Sequence, residues 1–340
     1  MSQTPLALMV GMSGLALTAE EKSFLRDANP LGVFLFRRNV ETPDQVRRLT
    51  AEIREALGRA DAPVFIDQEG GPVQRLDNGN WPRFRSLGSF GALARKDFAL
   101  GQRALRLSTL AMGTILADLG IDSGTTPVVD LARKGTHDVI GQRAFGDDPD
   151  FVAAMGRVVI DGMLEVGVLP IMKHIPGYGR VTVDPHFDCP VVDASLEDMR
   201  SSDFKPFADL RHSPWAMVAH LIFTQIDPER PASVSPILCD LIRSDIGYDG
   251  VMITDCLCME AISGTPPERV AAALLAGYDV ALLSHGGVPV WSKAAEAARP
   301  VTDETLKRIA RGESKRGSLS VDVAALHGEV EEIFRENGFA

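Results

Sequence analysis

Gly250-Val251-Met252-Ile253-Thr254-Asp255 is a short apolar, β-branched run that ends on a carboxylate. Its length and composition read as a buried strand, and the charge stands at the strand's C-terminal end. Working outward, seven more runs of the same kind occur at residues 7–10, 33–36, 64–67, 127–130, 168–173, 216–220 and 280–284. Polar residues again close several of them: Asp67, Asp130, Lys173 with His174, and His220.

Amphipathic stretches separate the runs. After residues 33–36, Thr42-Pro43 supplies an N-cap and a first-turn proline, and Val46, Leu49, Ile53 and Leu57 recur on one helical face. Further helices are predicted at 102–119, 150–165, 196–210, 236–246 and 267–276. This β/α alternation implies a mostly parallel sheet. An open, doubly wound sheet has the same local pattern, but only a closed barrel gathers every strand's C-terminal end at one mouth. The polar strand ends therefore favour an α/β fold of the (β/α)8 TIM-type barrel, a single domain over residues 1–300. The helical segments 303–311 and 321–337 are expected to form a C-terminal extension, residues 301–340, packed on its outside.

Bulk composition narrows the partners. The 340 residues are 45% hydrophobic and 24% charged, as in an ordinary globular protein. A net charge of −11 without a long basic run disfavours nucleic acid and anionic membranes, leaving a small neutral or weakly charged ligand. The apolar N-terminus lacks any Lys or Arg before Lys22 and runs into Thr18-Ala19-Glu20-Glu21, a capping box. It reads as a strand and a helix start rather than a secretion signal. Cys189, Cys239, Cys256 and Cys258 contain no C-x-x-C pair, and Cys256-x-Cys258 is a poor spacing for zinc or a disulfide. A reduced, cytoplasmic protein without metal or cofactor is expected. A metal-dependent barrel hydrolase is disfavoured because no His-x-His pair follows the first strand.

Taken singly, each polar strand end could be a cap or a satisfied hydrogen-bonder. Together, in strands otherwise apolar, they imply a shared polar pocket, because buried charges must find partners or water. Asp255, followed by Cys256, Leu257, Cys258 and Met259, is predicted to have dry flanks and to open only toward the mouth. Such a carboxylate suits attack on an anomeric carbon. The long Gly/Pro-rich stretch 175–192 carries Asp184-Pro185-His186. There the acid either orients the imidazole for proton transfer or merely forms a turn beside an exposed His; spacing leaves both open. Asp67-Gln68-Glu69-Gly70-Gly71 with Arg75, and Lys173-His174, offer donors and acceptors for sugar hydroxyls.

At these residues the chain resembles family 3 glycoside hydrolases of the bacterial single-domain β-N-acetylglucosaminidase type, over nearly its whole length. The matching segments are Gly32 to Asn39, Asp67 to Gly71 with Val73-Gln74-Arg75, Pro127 to Asp130, Gly141-Gln142-Arg143, Lys173-His174, Asp184-x-His186, Ala219-His220, and Asp255 with Met259. The resemblance implies removal of terminal N-acetylglucosamine from muropeptides in peptidoglycan recycling, by a monomer, in the cytoplasm and without metal. It puts Asp255 on the nucleophile, His186 held by Asp184 on the acid/base, and Asp67, Arg75, Arg143, Lys173 and His174 on the terminal sugar. The alternatives are a family 3 glycosidase or phosphorylase of different sugar preference, or a catalytically weak sugar-binding homologue. This chain departs from the family pattern at Pro72 for Arg, Tyr178 for His, Pro185 for Ser, and Cys256 for a second Asp after the nucleophile.

Overall fold

Seven of the eight apolar runs form strands of one parallel sheet in the computed structural model, which describes residues 4–137, 140–181, 189–259 and 262–339. They are β1 (Leu6–Val10), β2 (Pro30–Leu35), β3 (Val64–Ile66), β4 (Ile171–Ile175), β5 (Trp215–Val218), β6 (Val251–Cys256) and β7 (Val280–Leu283). Their spatial order is β3-β2-β1-β7-β6-β5-β4, so the sheet curls with its two edges toward each other.

The regular sheet does not close. Residues 122–129 span the gap between its edges, where the sequence predicts a strand at 127–130. On one side Asp122 N donates to Val64 O (2.7 Å) and Ile66 N to Ser123 O (3.0 Å). On the other, Lys173 N donates to Pro127 O (3.0 Å) and Val129 N to Lys173 O (2.9 Å). The segment therefore takes the eighth position without becoming a strand. Pro127 has no N–H to contribute, and Thr125 has a φ of 48°, outside extended geometry.

The helices follow from local signals. Thr18 and Glu21 cap each other at the start of the helix Ala19–Ala28, as the capping box predicts. The helix Pro43–Leu57 starts at Thr42, ends at the left-handed Gly58, and buries Val46, Leu49, Ile53 and Leu57. The single helix predicted over 196–210 is two, Leu196–Ser201 and Lys205–Asp209, because Ser202 leaves helical geometry and Pro206 opens the second. The helix Leu87–Lys96, capped by Ser86, has no sequence prediction; two glycines weaken its helical pattern.

The C-terminal helix Val323–Glu336 returns to the first half of the chain. Phe334 meets Phe90 edge to face at 5.2 Å, and Arg85 pairs with Glu331 at 2.7 Å. Among the described residues no helix is long and apolar enough to cross a membrane.

Candidate active site

The C-terminal ends of β3, β4 and β6 open into a cavity of about 440 Å3. Asp67, Arg75, Arg143, Lys173, His174 and Asp255 all line it, so six of the eight site residues predicted from sequence meet in one place. The other two, Asp184 and His186, lie outside the described residues.

Asp67 follows β3 directly, and a small hairpin, Gln68–Gly70 with Val73–Gln74, carries Glu69 and then Arg75 back over it. The turn needs its glycines. Gly70 and Gly71 have φ of 91° and 60°, and a Cβ on either would stand 2.5 Å from the chain at Arg85 or Ser86. Lys173 and His174 sit within β4, and Arg143 ends the short turn Gly141–Arg143.

These charges compensate one another closely. Arg75 Nη2 donates to Asp67 Oδ2 at 3.0 Å, and Arg143 makes a two-pronged pair with Glu69, both bonds 2.8 Å. Lys173 Nζ reaches Glu69 Oε1 at 2.6 Å, Thr125 Oγ1 at 2.9 Å and Asp67 Oδ1 at 3.2 Å, which uses its three protons. Burial raises the Asp67 carboxyl, but Lys173 and Arg75 more than offset it and hold the group well below the usual range. Burial likewise raises Glu69, yet Arg143 and Lys173 bring it down to about 2.

His174 is oriented from behind. Asp130 Oδ2 lies 2.7 Å from its Nδ1, and the same carboxylate accepts from the N–H groups of His174 and, at 2.7 Å, Tyr178. With Nδ1–H committed to Asp130, Nε2 faces the cavity, 3.5 Å from Arg143.

Asp255 is placed differently. Cys256 N–H donates to its Oδ1 at 2.6 Å, its only hydrogen bond among the described residues, and the side chain stays partly open to the cavity. Cys256 and Met259 line the cavity beside it, the dry flanks expected from sequence. Burial pushes the carboxyl up, but His220, His174, the Cys256 N–H and Lys173 together hold it below the ordinary value. His220 is itself pushed down by burial, so its share of that support fades toward neutral pH. The His220 ring sits between Ser233 Oγ (2.7 Å) and Cys256 O (3.0 Å), and thereby grips the strand end that carries Asp255.

Sequence reasoning left Glu69 and Thr125 without roles. For Glu69 a signal was present: two residues after Asp67 on an extended chain, it shares that residue's face. Thr125 gave none, since its place depends on the irregular strand-gap segment.

Residues 6–311 match the glycosyl hydrolase family 3 N terminal domain. Beta-hexosaminidase of Stenotrophomonas maltophilia (strain K279a) is 39% identical over 286 residues, 82% of this chain and 83% of that protein. Beta-hexosaminidase of Alkalilimnicola ehrlichii is 35% identical over 309 residues, 89% of this chain and 88% of that one. NagZ from Neisseria gonorrhoeae, solved in complex with N-trifluoroacetyl-D-glucosamine, superposes with a TM-score of 0.87 at 29% identity, over 97% of this chain and 98% of that chain. A barrel-type sheet, a polar cavity at its strand ends and a family match along most of the chain agree: the protein belongs to glycosyl hydrolase family 3 and is a glycoside hydrolase.

Proposed function

We propose that the chain is a retaining exo-β-N-acetylglucosaminidase that trims terminal N-acetylglucosamine from muropeptides in the cytoplasm. Asp255 attacks C1 of the sugar, and a covalent glycosyl-enzyme forms as the aglycone leaves. His186, oriented by Asp184, protonates the departing oxygen and then takes a proton from the water that releases the sugar. An imidazole here replaces the second carboxylic acid that most glycosidases use. Asp67, Arg75, Arg143 and His174 hold the sugar hydroxyls, with Lys173 fixing the carboxylates behind them.

The observation that carries this reading is Asp255 itself: a carboxylate at a strand tip, held below its ordinary range, opening on a cavity whose other wall is set with paired charged side chains. The cavity volume, about 440 Å3, is in the range of small-ligand sites. The beta-hexosaminidase relatives and the glucosamine derivative bound to the Neisseria protein support the choice of sugar.

A slow substrate with an electronegative 2-substituent should leave a sugar on Asp255, read by peptide mass spectrometry; a label on any other residue overturns the assignment. Aryl N-acetylglucosaminide should turn over in preference to aryl glucoside, with no stimulation by phosphate. Turnover of glucoside alone would refute the sugar, and phosphate dependence would make the enzyme a phosphorylase.

A further inference from the structure

On the cavity rim beside Asp255, away from the Asp67 cluster, two thiols and an imidazole converge. In sequence the Cys-x-Cys spacing argues against a metal site, but the fold adds a donor from the neighbouring strand end. Leu257 turns into the core, its N–H donating to Leu282 O at 2.9 Å, so Cys256 and Cys258 project together to the other side. β7 ends alongside at Leu283, and Ser284-His285 follow it across. Cys256 Sγ, Cys258 Sγ and a ring nitrogen of His285 all lie within 4.8 Å of one another.

The cluster is open to solvent, since His285 is exposed and both cysteines are half-buried. It is also built. The His285 backbone N–H donates to Cys258 Sγ at 3.2 Å, and Ser284 Oγ lies 2.8 Å from Cys256 Sγ, contacts that suit sulfur carrying negative charge. Arg38 backs the ring: its Nε donates to Met12 O (2.7 Å), its Nη2 to Ser284 O (2.9 Å), and its Nη1 lies 3.2 Å from His285 Nε2.

We infer that Cys256, Cys258 and His285 form a binding site for a thiophilic d10 cation of the zinc class. Two thiolates and an imidazole, with a fourth position open to water, match the tetrahedral preference of such an ion. Hard cations that want oxygen ligands are excluded by the same donor set. On binding, two thiol protons pass to the buffer, two sulfur–metal bonds and one nitrogen–metal bond form, and nothing is oxidised. The imidazole gives up one neighbour, either Ser284 Oγ at 2.8 Å from Nδ1 or Arg38 at Nε2. The site does not depend on the role proposed for Asp255, although the Cys256 N–H that donates to Asp255 belongs to one of its ligands.

The test is a titration of the full-length, reduced, metal-free protein with Co2+, a spectroscopic stand-in for zinc. One equivalent should produce thiolate-to-cobalt absorption in the near ultraviolet with tetrahedral visible bands, and Zn2+ should displace both. Cys258→Ser should abolish the charge-transfer absorption, and His285→Gln, at an exposed position, should weaken affinity roughly tenfold or more. Both variants should keep the wild-type thermal midpoint, which shows that the fold is intact. No thiolate absorption in the wild type overturns the proposal, as does an unchanged titration in either variant. Because the readout is absorbance, failure of hydrolysis in every form would sink the reading of Asp255 and leave this one standing.

Discussion

The two walls of the cavity treat charge in opposite ways. On the β3–β4 side Asp67 and Glu69 pair with Arg75, Arg143 and Lys173 at separations of 2.6–3.2 Å. On the β6 side Asp255 has, among the described residues, one backbone N–H, and His220 beneath it is engaged with Cys256 O and Ser233 instead. The β3–β4 wall is an internally paired lattice; the β6 wall leaves its carboxylate with a single backbone donor among the described residues. Removing a member of the first should cost stability, and removing the second should cost rate, because an unpaired buried ion is expensive while a lone exposed-faced carboxylate stabilises little.

Asp255→Asn is the largest expected effect. Hydrolysis of aryl N-acetylglucosaminide should fall by about 10^4-fold or more, the size of loss seen when a nucleophile is removed. The thermal midpoint should stay at or slightly above the wild-type value. A large fall in midpoint would mean that Asp255 is structural, and the contrast between the walls would be lost.

Glu69→Ala attacks the other wall. It removes the two-pronged partner of Arg143 and one of the three contacts of Lys173, and breaking a buried pair of this kind costs about 3–5 kcal/mol, measurable by urea unfolding. An effect below about 1 kcal/mol would show that water or a rotated Arg143 replaces the carboxylate.

How far the sequence anticipates these walls depends on distance along the chain. Asp67, Lys173, His174 and Asp255 are legible because strand tips in a barrel converge wherever the strands start. For Glu69 the sequence offers only the face it shares with Asp67; its partner Arg143 stands on a turn 74 residues later, which no local pattern reveals. The predicted strand at 127–130 fails for a local reason, Pro127 and the left-handed Thr125, while its hydrophobicity, which is all that periodicity reads, is strand-like. Likewise Cys256-x-Cys258 looks inert until β7 brings His285 beside it.

Acid sharpens the contrast. The folded Glu69 value of about 2 lies below the ordinary 4.5, so the group stabilises fully above about pH 4.5 and loses that contribution as pH falls through about 2. Asp67 shifts in the same direction. Urea unfolding from pH 6 to 2.5 should therefore show the gap between wild type and Glu69→Gln narrowing by a few kcal/mol. A gap independent of pH would mean that Glu69 is not held ionised by its partners.

Tyr178, where the family usually has His, ties the two walls together, and breaking that tie is the smallest effect. Its N–H donates to Asp130, the acid behind His174, while its hydroxyl donates to His220 O at 2.9 Å, on the side of Asp255. Its ring also packs edge-on against His174, centroids 5.3 Å apart. Tyr178→Phe keeps the ring and the backbone bond but strands one buried carbonyl, a loss of about 1 kcal/mol. If the hydroxyl only braces the wall, the unfolding free energy from urea titration should drop by that amount while kcat and KM change less than about threefold. A large fall in kcat with unchanged stability would instead make Tyr178 part of what aims Asp255, through His220 and the Cys256 carbonyl that His220 grips.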